Sequence, residues 1–417
     1  MRNFLERFGG HPVVMAGVFL AIVYNSSLVG QQSGASQVTI PKRLFPHNNF
    51  WNAPVDALPL HPNSAGIIRE VNKSGEEHIR INDTLPINFV HGRGMPLTSF
   101  KMGGDADGGQ YLVPPDAVIE SAGRIADADH HLLVVDVDSG ILYELFSWNK
   151  LPTAAGADIG CKWDLASNAQ RVPGPSADAA DFGSTDAAGL PVTPGVLRYQ
   201  EILDGVVTHA LRVTVRLTAF RQFIWPATHF TSQPAAKGNP NAPPFGTRIR
   251  LKVGFDVSGY SPTNRIILNA LKKYGAVVAD NGIAGSMEHD QDPRWNKNEL
   301  LLLHNVSLGN FEVVDTSEMQ VSPASAQVQP VVPSLMAMDK LGRPNAITLG
   351  RGLSFEDAQL VSSGAPPNRP EPGQPNRIYA YYPSSDAKQW VWKPIVVDPN
   401  VGFYVDAGGQ AHLGKKP

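Results

Sequence analysis

Two segments of this chain alternate apolar and cationic residues with a period of two. The apolar members are Leu211, Val213, Val215 and Leu217 in the first segment and Ile249, Leu251, Val253 and Phe255 in the second. The cationic members are Arg212 and Arg216 in the first segment and Arg248, Arg250 and Lys252 in the second. This period is typical of a β-strand with one buried face. If the two strands pair, their cations form a basic sheet face suited to carboxylated or sulfated ligands. The alternative is a solvated face balanced by nearby acids.

Glycine and proline limit how long such strands can be. The 417 residues include 39 Gly and 35 Pro, which favours turns and short strands over long helices. Residues 130–149 predict a hairpin that turns at Gly140, and residues 263–275 predict a helix. We therefore predict a mainly β fold with a sandwich or barrel core, two or three short packed helices and a Pro-rich C-terminal extension. Further predictions are a helix with Ser64 as its N-cap that stops at Gly75, a short helix near Asn296, and a long loop or a set of short crossings over residues 152–195.

The N-terminal residues have the order of an export signal. Arg2 and Arg7 precede an apolar run at residues 12–24, and small polar residues follow. An uncleaved membrane anchor is the alternative. We expect a secreted or periplasmic protein with no membrane association after signal removal. The predicted organisation is a signal peptide at 1–36, a β-rich main domain at 40–318, a Pro- and Ser-rich linker at 319–376 and a small β appendage or tail at 377–417.

Charge and missing motifs exclude several function classes. The net charge of −3 argues against nucleic-acid binding, which usually needs a basic excess. The sequence contains no G-x-S-x-G elbow, no H-E-x-x-H and no Walker loop. His130, Asp136 and Asp138 share one face of the hairpin, but we interpret them as polar hairpin residues, so no metal or cofactor is expected. Cys161 is the single cysteine, so no intramolecular disulfide can form.

Candidate site residues gather in and around the two alternating segments. Glycoside hydrolysis needs two carboxylates at the scissile bond, whereas a polysaccharide lyase needs a base and a cation that neutralises the uronate. This inventory suits either chemistry, and each residue also has an ordinary structural role open to it, such as a core histidine, a half-buried tryptophan or an Asx turn. The candidate catalytic residues are Asp186, Glu201, His209, His229 and Asp280. The candidate substrate-binding residues are Tyr199, Arg212, Trp225, Arg248, Arg250 and Asn281.

A series of short motifs carries a resemblance to other proteins. They are "RYQEI", "HALR", "WPATH", "PPFGTRIRLK", "ALKKYGAVVADNG" and "DPRW". With this spacing, residues 44–318 resemble an uncharacterised family of exported bacterial proteins, which implies export and transfers no catalytic residue. The segment "PPFGTRIRLK" is also similar to a strand motif of double-psi β-barrels in expansin-like and lytic transglycosylase proteins, which implies a strand there.

These observations lead to one main functional hypothesis and two competitors. The main one is an exported carbohydrate-active enzyme, a glycoside hydrolase or polysaccharide lyase, whose partner is an extracellular polysaccharide. In it Trp225 stacks on a sugar, Arg212 binds an anionic group, and the acids and histidines transfer protons. The first competitor is a non-catalytic carbohydrate- or surface-binding protein of the cell envelope, and the second is a structural envelope protein.

Overall fold

The computed structural model describes residues 38–56, 58–103, 106–121, 129–149, 156–171 and 183–329, and the backbone of seven later strands. The helices are few and short, and more residues lie in strands than in helices, as predicted. The helices are α1 Ser64–Val71, α2 Tyr199–Leu203, α3 Pro262–Lys273 and α4 Lys297–Leu301. None of the helices among the described residues has the length and apolar character of a membrane span.

Fourteen strands lie within the part described up to residue 329. They are β1 Arg80–Thr84, β2 Ile87–Val90, β3 Leu97–Thr98, β4 Tyr111–Leu112, β5 Leu132–Asp136, β6 Ile141–Phe146, β7 Ile159–Asp164, β8 Leu211–Val215, β9 Arg248–Leu251, β10 Ala276–Asn281, β11 Ser286–His289, β12 Phe311–Val313, β13 Gln320–Ser322 and β14 Ser325–Val328.

Seven further strands, which begin after residue 334, form one seven-stranded sheet. They fall in both segments predicted as linker and as β appendage, and those boundaries stay a prediction. The strands are β15 Leu335–Met338, β16 Pro344–Thr348, β17 Ala358–Leu360, β18 Ile378–Pro383, β19 Trp390–Val397, β20 Phe403–Val405 and β21 Ala411–Leu413.

The first four-stranded sheet has the order β2-β5-β6-β7. Strands β5 and β6 are antiparallel, and Gly140 turns between them at φ 71°, which confirms the predicted hairpin. Strand β7 pairs antiparallel with β6, so residues 159–164 form a strand within the segment predicted as a long loop or a set of short crossings. Ile159, Cys161 and Trp163 of β7 alternate with Gly160, Lys162 and Asp164, which is a period-two signal that the sequence analysis overlooked. Cys161 and Trp163 are buried.

The second four-stranded sheet has the order β12-β9-β10-β8, and it corrects the predicted basic face. Strand β10 lies between β8 and β9, so the two alternating strands do not pair. All five residues of β8 are buried, including Arg212, and Arg248 of β9 is completely buried. The strand predicted to reach Phe255 ends at Leu251, and Val253 is 87% exposed. The sheet is covered on both faces, so the alternation does not separate core from solvent.

Helices α1, α3 and α4 lie where helices were predicted because their signals are local, whereas α2 was not predicted. Helix α1 has Asn63 as its N-cap and ends at Val71, four residues before the predicted stop. Ser261 caps α3 by accepting a hydrogen bond from the Asn264 N–H, and Pro262 occupies the first helical position. The Asn296 side chain accepts from the N–H of Glu299 at the start of α4, as predicted. Helix α1 begins at Ser64, whose hydroxyl accepts from the Val313 N–H at 2.8 Å and so ties α1 to β12.

A short parallel pair of strands, β1 and β11, positions the segment of residues 290–296. Strand β11 pairs parallel with β1, and an isolated bridge joins His289 to Leu197. The chain that leaves β11 runs through residues 290–296 into α4. Its first residue, Asp290, donates its backbone N–H to the Leu197 carbonyl oxygen just before α2.

Candidate functional site

A cleft of about 1060 Å³ lies between β2 and the segment that follows β11. One wall is Ile87, Asn88 and Phe89 of β2, the outermost strand in the order of its sheet. The opposite wall includes Asp290 and Asp292. A cleft of this size holds a ligand of several rings, and clefts with a few polar groups are the usual place for binding or catalysis.

Asp290 is held in the cleft wall by one of its two carboxylate oxygens. Oδ1 accepts hydrogen bonds from Nε1 of Trp295 at 2.7 Å and from the N–H of Tyr199 at 3.1 Å. Oδ2 accepts no hydrogen bond from any residue that the structure describes. Burial raises the pKa of Asp290 to about 6, although the hydrogen bonds from Trp295 and Tyr199 oppose the rise. Asp290 therefore exchanges its proton near neutral pH, and Oδ2 is the oxygen open to a ligand.

Asp292 lines the same cleft and is shifted in the opposite direction. Its Oδ1 accepts from Nε of Arg294 at 2.8 Å, and its Oδ2 accepts from Nη2 of Arg294 at 2.6 Å. The hydrogen bonds from Arg294 lower the pKa of Asp292, so this carboxylate stays ionised. Its charge also helps to raise the pKa of Asp290. Two carboxyl groups with pKa values pushed apart are what acid–base chemistry at a single centre requires.

Aromatic side chains hold this segment rigidly. Tyr199 meets Trp295 edge to face, with ring centroids 4.9 Å apart, and the Arg294 guanidinium lies 4.5 Å from the centre of the Tyr199 ring. The His289 ring lies 5.1 Å from Trp295. Tyr199 is the one sequence-predicted site residue that contacts Asp290, and it does so through its backbone N–H.

Three other predicted residues meet in a buried ionic cluster beside β8. Nε of Arg212 donates to Oδ2 of Asp186 at 3.0 Å, and Nη2 lies 3.5 Å from Oδ2 of Asp280. Nη1 donates to Oε1 of Glu288 at 2.6 Å. Burial raises the pKa of Asp186 to about 7 even though the Arg212 charge opposes the rise. Arg212 is thus saturated by carboxylates and is not presented to a ligand.

Glu201 and His209 form a second buried cluster with Arg198. Nη2 of Arg198 donates to Oε1 of Glu201 at 2.6 Å. His209 points Nδ1 at the Ala210 carbonyl oxygen at 2.7 Å and Nε2 at the Glu201 carboxylate at 2.9 Å. Both partners of the His209 ring are hydrogen-bond acceptors. Burial favours a higher pKa for Glu201, but the charges of Arg198 and His209 outweigh it and lower the pKa to about 2.

His131 makes the same kind of pair close to the other wall of the cleft. Its Nδ1 donates to Oε2 of Glu120 at 2.8 Å, and its Nε2 donates to the Thr185 carbonyl oxygen at 2.9 Å. Burial lowers the pKa of His131, but Glu120 more than compensates, and the net pKa is raised. Residue 120 lies between Ile119 and Ser121, which both line the cleft.

The remaining predicted residues lie apart from the cleft. Nδ1 of His229 donates to the Ala187 carbonyl oxygen at 2.8 Å, and Nε1 of Trp225 donates to that of Ser325 at 2.9 Å. The Asn281 amide donates to the Val215 carbonyl oxygen at 3.2 Å. The eleven predicted residues therefore do not converge on one centre.

Arg248 and Arg250 show why the predicted basic face is missing. Nη2 of Arg248 donates to the carbonyl oxygens of Phe50 and Ala53, and its guanidinium lies 4.2 Å from the centre of the Phe50 ring. Nε of Arg250 donates to Glu312 at 2.7 Å. The segment 50–58 thus packs against β9. Its carbonyl oxygens accept hydrogen bonds from Arg248 and Arg250, the cations that were predicted to face a ligand.

Two other sequence interpretations concern metals and thiols. Asp136 accepts from the N–H groups of Gly92 and Asp138, as expected of a polar hairpin residue. Within the described ranges, no group of three or more His, Cys, Asp or Glu side chains could hold a metal ion. Burial raises the pKa of the Cys161 thiol to about 12, so it is not ionised at neutral pH.

The sequence analysis missed Asp290, Asp292 and Trp295. They lie in "DQDPRW", the six residues that directly follow the buried strand β11. Two acids, an arginine and a tryptophan at the end of a strand were a usable signal, because side chains at strand ends commonly line sites. In the sequence analysis "DPRW" contributed to the resemblance and preceded the helix predicted near Asn296, but its acids were not considered as site residues.

Comparisons with known proteins add no relative. No protein-family model matches the chain, and no curated protein or solved structure matches it significantly.

Proposed function

We propose that the protein is an exported carbohydrate-active enzyme, a glycoside hydrolase that acts on an extracellular polysaccharide in the cleft of Asp290. One observation carries the proposal. Asp290 and Asp292 line one cleft, and the pKa of Asp290 is raised to about 6 while that of Asp292 is lowered. Glycosidases need this division between a protonated acid and an ionised carboxylate.

Asp290 acts as the general acid. Its Oδ1 already accepts two N–H groups, so the proton of the neutral acid resides on Oδ2. Oδ2 donates that proton to the glycosidic oxygen as the bond to the sugar breaks. Ionised Asp292 supplies negative charge near the oxocarbenium-like centre that develops. A water molecule then adds to the anomeric carbon and gives its proton to the Asp290 carboxylate, which restores the acid. Trp295 fixes the acid in position, and its N–H stabilises the carboxylate that remains after proton transfer.

Hydrolysis is favoured over the lyase reaction because of where the cations lie. A lyase needs a cation at the uronate, and Arg212, Arg248 and Arg250 are instead occupied by protein partners. Of the described residues that line the cleft, Lys297 is the one lysine or arginine, beside two aspartates. A neutral polysaccharide fits this balance better than a polyuronate.

Two finer expectations belong to the same proposal. Export is supported by the charged and apolar N-terminal sequence, and a sandwich or barrel core is supported by the separate sheets of the described part. The non-catalytic binding protein is the alternative, because the same cleft could hold a glycan without turnover.

The test is Asp290→Asn, assayed on neutral and acidic polysaccharides for new reducing ends and for the ultraviolet absorbance of unsaturated uronates. We expect the wild type to release reducing ends without absorbance, and Asp290→Asn to lose about 10²-fold or more of that rate. Asp256→Asn, an exposed aspartate outside the cleft, is the matched control and should keep full activity. Absorbance from the wild type would indicate a lyase, and glycan binding without any turnover would favour the binding protein.

A further inference from the structure

We propose that a second groove, beside Trp225, binds a neutral sugar segment of a polysaccharide without cleaving it. The groove has a volume of about 520 Å³, and none of its lining residues lines the cleft of Asp290. The proposal rests on the polysaccharide specificity proposed above, and its test separates the two.

The indole of Trp225 forms a fixed aromatic surface in the groove. The side chain is half-buried, and its Nε1 is tied to the Ser325 carbonyl oxygen at 2.9 Å. Its ring meets Phe50 edge to face, with ring centroids 5.2 Å apart. An indole held in one orientation offers contact area to a sugar ring without losing conformational entropy.

Polar side chains around this indole have hydrogen-bonding groups left over. His61 accepts at Nδ1 from the Asn63 N–H, so its proton is on Nε2, which donates to no described residue. The Asn239 side chain accepts from the Asn241 N–H, and its Nδ2 donates to none of the described residues. The side-chain amides of Gln222 and Gln320 line the groove and make no hydrogen bond within the described part of the chain.

The few charged side chains in the groove indicate which class of ligand it could bind. Asp315 is the one carboxylate among the described lining residues, and no lysine or arginine is among them. A polyanion would find no cation here, whereas hydroxyl groups can pair with amides and an imidazole. An aromatic surface bordered by neutral donors and acceptors therefore fits a neutral sugar.

The experiment measures retention of the full chain in native gels that contain dextran, a soluble β-glucan or galactomannan, with a polyuronate as the charged comparison. All variants carry Asp290→Asn, so that turnover does not remove the ligand. Gln222→Ala with Gln320→Ala removes two groove amides, and we expect Kd to rise at least about fivefold, as for the loss of two hydrogen bonds. Trp225 itself is left in place because it packs on Phe50.

Two matched variants locate the binding. Gln291→Ala alters the cleft, Gln110→Ala alters an exposed glutamine outside both sites, and both should keep the groove's retention. The proposal is overturned if no neutral glycan retards the protein, if only the polyuronate does, or if the double variant binds as tightly as its parent. Retention that depends on Gln222 in a protein with no hydrolytic activity would support the groove and refute the proposed enzyme. Hydrolysis by the wild type without retention that depends on Gln222 would support the proposed enzyme and refute the groove.

Discussion

Replacing Trp295 with phenylalanine tests whether the Asp290 carboxyl is tuned as the geometry indicates. The change removes one N–H donor, 2.7 Å from Oδ1 of Asp290, and leaves the Tyr199 N–H in place. A hydrogen bond to a charged group contributes about 1.5–3 kcal/mol, and one pKa unit corresponds to about 1.4 kcal/mol. Because this bond favours the ionised form, its loss should raise the pKa of Asp290 by about 1–2 units.

The assay is the pH dependence of kcat/KM, which reports the free enzyme. A general acid must be protonated, so the wild-type rate should fall as pH rises through about 6. In Trp295→Phe this fall should move to higher pH by the same one to two units. A titration of ¹³C-labelled aspartate by NMR, with Asp290→Asn to assign the signal, gives the pKa without any need for turnover.

The control makes the same change of size at another buried tryptophan. Trp163 is buried like Trp295, but its Nε1 bonds to none of the described residues. Trp163→Phe should therefore cost comparable packing energy and leave the midpoint at about 6. If Trp295→Phe folds and its midpoint also stays there, the hydrogen bond does not set the pKa and the reasoning is wrong.

Three further predictions concern stability. Glu201→Gln should lower the free energy of unfolding by about 3–5 kcal/mol in denaturant titrations, because Arg198 and His209 would lose their buried counter-charge. The pKa of Glu201 falls from its ordinary 4.5 to about 2 in the folded protein, so its stabilisation, about 3 kcal/mol, should be complete above pH 4.5 and disappear as pH falls towards 2. Melting temperatures recorded across that range, with Glu201→Gln as the flat reference, check this. Gly275→Ala should cost at least about 2 kcal/mol more than Gly205→Ala, because both have positive φ but only at Gly275 would a Cβ meet a backbone carbonyl oxygen of β9. If both glycine variants lose the same free energy of unfolding, the expected clash between a Cβ at residue 275 and the backbone of β9 does not occur.

The elements that could be predicted from the sequence are those with local causes. Helix α3 has its cap, its first-turn proline and its terminal glycine within the segment itself. The β5–β6 hairpin is fixed by one turn. Strand pairing beyond neighbours is not local: β10 enters between β8 and β9, and nothing within either strand indicates it.

The candidate site could be predicted only in part for the same reason. Alternation correctly indicated that Arg212 points away from its apolar neighbours, but the carboxylates that surround it come from segments 26 to 76 residues away. The unusual property of Asp290 depends on burial and on a backbone N–H 91 residues distant. A list of acids in a sequence cannot distinguish such a residue from the others.

The buried charged residues lie between the two walls of the cleft and contact residues of both. On the first wall, Glu120 lies between two lining residues, and its Oε2 lies 2.8 Å from Nδ1 of His131. His131 in turn donates to the carbonyl oxygen of Thr185, the neighbour of Asp186.

Asp186 binds Arg212, and Arg212 binds Glu288 of β11, two residues before Asp290 on the opposite wall. Ion pairs, one hydrogen bond to a backbone carbonyl and two short backbone segments therefore connect both walls of the cleft. Breaking a buried ion pair in such a chain leaves an uncompensated charge, so neither wall can shift cheaply relative to the other. Asp186, Arg212 and Asp280, three of the charged residues that the sequence analysis proposed for the site, belong to this connected set. Their substitution should lower the stability of the protein and the activity proposed for Asp290 together.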